Sequence, residues 1–331
     1  MDKVKFAAIG CGNIFEYHAA AIGAIEGAEF VAICDANREA LARASQLCPS
    51  AALFEDYKTM LEESGADVVN ILTPPAFHAA LGVEAANRGK HVIVEKPIDI
   101  SLEAADGLIE ACHKNGVKLG CIFQNRFLDD ILALTEAVDG GALGKLNFGG
   151  SYTKWWRDQA YFDSRKARGS LRADGGGVLI NQAIHDIDLL LSFMGPVREV
   201  YGHVASRAHR DIGVEDTAAA ALVFQSGAIG VIEGHTGAYP GFGSRIDLYG
   251  ENGTAVVEDN RIAVWEMKDK APKPEARVSA GTPHQRQIED FIRAVKDGGE
   301  PLVTGETARR AVEVILAIYG SDRTGRPVIL S

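Results

Sequence analysis

Cysteine is scarce, odd in number and never arranged as C-x-x-C. The five residues, Cys11, Cys34, Cys48, Cys112 and Cys121, fall mostly in apolar stretches. That usage reads as free thiols in a reduced compartment rather than a disulfide framework. Positive charge is also in deficit: 34 Lys and Arg face 45 Asp and Glu, a formal net charge of -11. Phosphate backbones and anionic bilayers both need clustered cations, so nucleic acid and membrane surfaces are excluded as partners. The acidity reads as solubility. No apolar run approaches the roughly 20 residues of a spanning helix. The opening residues, Met1 to Phe6, lack the apolar core of a signal peptide. A cytoplasmic protein is expected. Repeats and low-complexity tracts are absent as well.

What is present is ordinary globular material, 331 residues long, 47% hydrophobic and 24% charged. That length suits two domains. The first third alternates short apolar runs with helical segments. Strands are predicted at Val4–Ile9, Phe30–Cys34, Asp67–Leu72, His91–Val94 and Val117–Phe123, with helices between them. Continuous apolar strands separated by helices imply a doubly wound parallel sheet covered on both faces. After about residue 125 alternating strands dominate, as in Arg245-Ile246-Asp247-Leu248-Tyr249, and imply a mostly antiparallel sheet with one wetter face. A helix over Val178–Phe193 interrupts them, and two helices end the chain. The expected organisation is a Rossmann dinucleotide-binding domain over 1–124. Residues 125–331 would form a substrate-binding and oligomerisation domain built on an open-faced sheet with helices on one face.

Gly10-Cys11-Gly12 directly follows the first strand and opens a helix through Asn13 and Ile14. Glycines there permit a tight turn and a close backbone approach to a pyrophosphate, which sits on the helix N-terminus. Phe15 replaces the third glycine of the full fingerprint. Asp35 ends the second strand about 20 residues on, where a carboxylate binds ribose hydroxyls and repels a 2′-phosphate. NAD is therefore expected over NADP, with Arg38 the one nearby residue that favours the opposite.

Three further stretches matter together: Thr73-Pro74-Pro75 with His78, Glu95-Lys96-Pro97, and Gly175-Gly176-Gly177 leading to Asn181, His185 and Asp188. Thr73-Pro74 and Glu95-Lys96 each end a strand at the carboxyl edge, where open α/β sheets bind ligands. A Lys-Pro bond can be cis and would fix the lysine's direction. Asn181 and His185 are i and i+4, and Asp188 is i+7, so they share one helix face opposite an apolar stripe. A solvated lysine and a structural histidine would carry the same letters, but their company with a dinucleotide turn favours chemistry.

With His18 after the glycines, this set resembles the Gfo/Idh/MocA family of NAD(P)-dependent oxidoreductases, over nearly the whole chain. The resemblance implies hydride transfer between nicotinamide and a hydroxyl-bearing carbon of a sugar, inositol, other polyol or sugar acid, free or nucleotide-linked. It implies that Lys96 exchanges the hydroxyl proton and that Asn181 and His185 face the substrate. It also implies a homodimer or homotetramer formed through the second sheet. Gly10, Gly12, Asn13, Ile14, Asp35, Arg38, Thr73, Pro74, His78, Glu95, Lys96 and Gln124 are the expected cofactor residues, and Arg157 and Tyr161 further substrate contacts. No metal is expected, because H-x-x-D alone is a thin ligand set. Trp155 and Trp156 are candidates to wall the nicotinamide, and His235 and Tyr239 to touch substrate. Ala167 stands where some members carry tryptophan in a Tyr…Trp-Arg-Gly loop. Two other fates of the fold compete: a silent NAD-binding regulator, and a glycosidase that oxidises only transiently.

Overall fold

A computed structural model of the chain describes residues 3–165 and 171–330. It divides into two compact units, Met1–Gln124 with Ala280–Arg309, and Asn125–Ser279 with Arg310–Ser331. Ala167, Arg168 and Gly169 of the loop noted above lie outside the described residues.

The first unit is built on six parallel strands: β1 (Val4–Ile9), β2 (Ala28–Cys34), β3 (Ala52–Phe54), β4 (Val68–Ile71), β5 (His91–Val94) and β6 (Leu119–Cys121). Their order across the sheet is β3-β2-β1-β4-β5-β6, with every pair parallel. All residues of β4 and β6 are buried, as are those of β1 except Lys5. Continuous apolar runs are what a sheet covered on both faces requires. Helix starts follow local chemistry: Asn37 accepts from the N–H groups of Glu39 and Ala40, and Ser101 from that of Ala104. The order reverses between β1 and β4, and the carboxyl end of that switch point is where such sheets bind ligands. β3 and the helix Tyr57–Glu63 are additions to the sequence reading. β3 has three residues, none of them buried, and so carries no apolar signature.

The second unit holds an eight-stranded sheet. Its strands are β7 (Leu146–Lys154), β8 (Val197–Ala205), β9 (Thr217–Phe224), β10 (Ile229–His235), β11 (Gly243–Gly250), β12 (Gly253–Glu258), β13 (Arg261–Met267) and β14 (Val328–Ile329). The order is β13-β12-β11-β7-β10-β9-β8-β14. Only β10 and β7 run parallel; the other pairs are antiparallel. Burial alternates along β9 and β10, so one face is packed and the other is wetter. The helix Ile184–Met194 lies against β7 and β11. The expected single helix over Val178–Phe193 is instead a π-helical turn, Leu179–Ala183, running into that α-helix. No helix of the described residues is long and apolar enough to cross a membrane.

Candidate active site

At the end of β1, Gly10 has φ +101°, and a Cβ there would lie 2.8 Å from the Leu72 carbonyl carbon. Only glycine lets the first turn sit against the end of β4. Above Gly12 there is open space within 4 Å. The helix Phe15–Gly23 that follows Asn13 and Ile14 has no side-chain cap. Its partial positive charge is left for an anion. Asp35 braces the turn, accepting from Cys11 N–H at 2.7 Å and Asn37 N–H at 2.7 Å. Arg38 pairs with Glu55 at 2.9 Å on the surface. That carboxylate competes for the guanidinium with any phosphate on the ribose.

Beside the switch point, Thr73 Oγ1 is buried without a hydrogen-bond partner among the described residues. His78 departs from its expected part. It is fully buried, with Nδ1 2.8 Å from Pro97 O and Nε2 2.7 Å from Thr73 O. Its ring therefore ties the β4 and β5 turns together and has no face left for a cofactor. Burial holds its pKa below the ordinary histidine value against the pull of the two carbonyls. Pro74 leads into a short 3-10 turn, Pro75–Phe77, and Gln124 opens another, Gln124–Phe127.

Lys96 follows β5, and the Lys96–Pro97 bond is cis. Between Val92 and Asp99, Lys96 alone is not buried. Glu95 is turned inward rather than toward a cofactor. Its Oε1 meets His18 Nε2 at 3.0 Å and its Oε2 accepts from Lys96 N–H at 3.1 Å. On the other side of the ring, Asn70 Nδ2 lies 3.0 Å from His18 Nδ1. Burial alone would push the Glu95 carboxyl up. The His18 hydrogen bond and charge, with Lys96 and His284 nearby, outweigh it and hold the pKa at about 2. Asn70 was missed as a site residue, although an amide inside the apolar run Val68-Val69-Asn70-Ile71 was the available signal.

In the second unit, Asn181 lies in the π turn and His185 in the helix after it. Over Val178–Leu191 only these two side chains are not buried. The neighbouring acids point inward. Asp188 forms a bidentate pair with Arg126, both contacts at 2.6 Å, so it orients Arg126 and not His185. Asp186 Oδ2 accepts from Thr153 Oγ1 at 2.5 Å and Ser244 Oγ at 2.7 Å. Burial dominates there and pushes its pKa up to about 6.

Arg157 lies 5.0 Å from the centre of the Trp155 ring and 5.4 Å from that of Tyr161. Among the described residues it has no carboxylate partner, and its one side-chain hydrogen bond goes to Trp156 O at 3.0 Å. Tyr161 Oη accepts from Gln182 Nε2 at 3.1 Å, which places the aromatic pair beside the π turn. Tyr239 stands 74% exposed, edge-on to Trp156. His235 pairs with Glu233 at 3.4 Å.

Residues 4–123 match the family model described as oxidoreductase family, NAD-binding Rossmann fold, and residues 131–256 match the GFO/IDH/MocA C-terminal domain. A chain 33% identical to this one, the WlbA dehydrogenase from Bordetella pertussis, superposes with a TM-score of 0.91 over 99% of each chain. The protein belongs to the Gfo/Idh/MocA family. That WlbA structure is a complex with NADH and UDP-GlcNAcA. The myo-inositol 2-dehydrogenase of Thermotoga maritima is 28% identical, covering 93% of each chain. The scyllo-inositol 2-dehydrogenase (NAD(+)) of Bacillus subtilis is 28% identical over 99% of this chain and 96% of the relative. This Gfo/Idh/MocA chain is an NAD-dependent oxidoreductase acting on CH–OH groups. Its first unit fits the cofactor on its own evidence: a glycine turn that a Cβ would obstruct, open space at Gly12, an uncapped helix start and a carboxylate at Asp35.

Proposed function

We propose that the protein oxidises, or in reverse reduces, a hydroxyl-bearing carbon of a sugar, an inositol or a sugar acid, with Lys96 as the proton-exchanging residue. The observation that carries the reading is the partial exposure of three polar side chains inside otherwise buried runs. Lys96 is the one residue between Val92 and Asp99 that is not buried, and Asn181 and His185 are the only such pair over Val178–Leu191. Burying every neighbour while leaving these partly accessible is the pattern of groups that face a ligand.

Gly12, Asn13, Ile14 and Asp35 hold the dinucleotide, with Thr73, Pro74 and Gln124 at neighbouring strand ends. Bound NAD supplies the hydride acceptor, or the donor when reduced. Lys96 takes the hydroxyl proton as the carbon is oxidised and returns it in the reverse direction. Asn181 and His185 hold substrate oxygens in line, and His185 shares the proton. Arg157, stacked between two aromatic rings and without a carboxylate partner among the described residues, receives a substrate hydroxyl or carboxylate. Tyr161 and Gln182 steady it. The protein acts in the cytoplasm as a homo-oligomer. Tyr201, Ile229 and Val264, exposed on the second sheet, supply apolar surface for association.

The test is a fluorescence screen for NADH formation with NAD and NADP. The panel holds myo-inositol, scyllo-inositol, D-apiose, D-xylose, glucuronic acid and UDP-GlcNAcA. At least one compound should turn over with NAD. Lys96→Met should then lose about 10² to 10⁴ in kcat while keeping NADH affinity. A silent panel, or a Lys96→Met enzyme that turns over normally, overturns the reading.

A further inference from the structure

The run Gly175-Gly176-Gly177 ahead of Asn181 has a mechanical explanation in the second unit. Three consecutive backbone amides end on one residue, Glu215, which precedes β9. Its Oε2 accepts from Gly177 N–H at 2.7 Å, its backbone oxygen from Val178 N–H at 2.9 Å, and its Oε1 from Leu179 N–H at 3.0 Å. These are the amides that the start of a helix leaves unsatisfied. Tyr319 Oη donates to the same Oε1 at 2.7 Å. Glu215 is buried, with a relative exposure of 7%.

The glycines are what let this arrangement close. A Cβ on Gly177 would lie 1.8 Å from Glu215 O, and one on Gly176 would lie 2.1 Å from Tyr319 Oη. Neither position tolerates a side chain unless Glu215 or Tyr319 moves. The segment so fixed goes directly into the π turn that carries Asn181 and the helix that carries His185. A π turn is uncommon, and an unfavourable local geometry persists where the surrounding structure holds it.

We propose that Glu215, braced by Tyr319, is a positioning residue that latches the start of this helix and so sets the placement of Asn181 and His185. The inference rests on the reading of those two residues as substrate contacts. Buried carboxylate and phenol belong together here. Burial pushes the Glu215 carboxyl up, and the Tyr319 hydroxyl and the two amides oppose that shift.

The experiment uses Glu215→Gln and Tyr319→Phe in the full-length protein, with His185→Ala and Asn181→Ala alongside. Turnover is read with the most active compound of the panel above, and NADH affinity by fluorescence titration. Glutamine keeps the shape but turns an NH₂ toward one of the two amide donors. Glu215→Gln should lose about 10- to 100-fold in kcat, with NADH affinity within about twofold and cooperative melting retained. Tyr319→Phe keeps the ring and should lose about threefold to tenfold in kcat, again with NADH affinity unchanged. Wild-type kcat and KM in either folded variant overturn the latch. So does a loss of kcat accompanied by an equal loss of NADH affinity, which would mark a general fold element. Normal turnover in both His185→Ala and Asn181→Ala refutes the substrate reading itself, and the latch with it.

Discussion

Two buried carboxylates stand next in sequence to the two residues given the proton chemistry, and their surroundings drive them opposite ways. Glu95 precedes Lys96; Asp186 follows His185. Both are almost fully buried, at 7% and 3% exposure. Glu95 receives an imidazole N–H and a backbone N–H, one on each oxygen, with Lys96 and His284 adding favourable charge. Among the described residues Asp186 receives two hydroxyls, both on Oδ2, and has Asp259 as an unfavourable neighbour. Burial pushes each pKa upward. It is overcome in the first case, to about 2, and wins in the second, to about 6. The difference teaches that burial does not decide a carboxylate's charge; the kind of donor and the sign of the surrounding charge do.

The strongest way to break this comparison is to remove the Glu95 anion. A carboxyl with a folded pKa of about 2 and an ordinary value of 4.5 contributes stability that is present above pH 4.5 and lost as pH falls toward 2. The shift corresponds to about 3 kcal/mol. Glu95→Gln should therefore lower stability at pH 7 by about that amount and flatten its decline below pH 4.5. Urea unfolding at pH 7, 4.5 and 3 reads both. An unchanged acid limb would show that His18 and Glu95 are not paired in solution.

Asp186 gives the opposite sign and a slightly smaller effect. Its folded pKa is raised from 3.8 to about 6, so its contribution is full below pH 3.8 and is lost as pH rises through 6. Asp186→Asn keeps an oxygen for Thr153 and Ser244 and removes the buried charge. The variant should gain about 3 kcal/mol at pH 7 relative to wild type and show no gain at pH 3.5. Equal shifts at both pH values would mean that packing rather than ionisation separates the two.

Much of the fold was legible because its grammar is local. The continuous apolar runs at Val4–Ile9 and Val68–Ile71 and the glycine turn between strand and helix announce a parallel sheet with a dinucleotide edge. Short exposed elements such as β3 carry too few residues for periodicity to register. The helix Pro283–Asp297 looks like any terminal amphipathic helix in sequence. In the structure Gln287 donates to Cys121 O and accepts from Phe123 N–H beside β6, within the first unit. No pattern in 283–297 encodes that return. At the candidate site, Lys96, Asn181 and His185 were readable as polar residues at strand ends and on one helix face. Their supports were harder to see. Glu215 lies 38 residues from the amide of Gly177 that it holds, and Arg126 lies 62 from Asp188. Pairings of that kind follow from tertiary packing and not from spacing. His78 shows the reverse error, because a histidine near a cofactor edge serves equally well as a buried strut.

We propose that Lys96 and His185 act on one proton of one substrate, and a double-mutant cycle on kcat/KM tests this most directly. Lys96→Met, His185→Ala and the combined variant are compared with wild type at fixed pH, using the compound the screen returns. Residues that work as a unit give losses that fail to multiply, so the double variant should be about as slow as the slower single one. Losses that multiply would mean two independent roles and would contradict the claim.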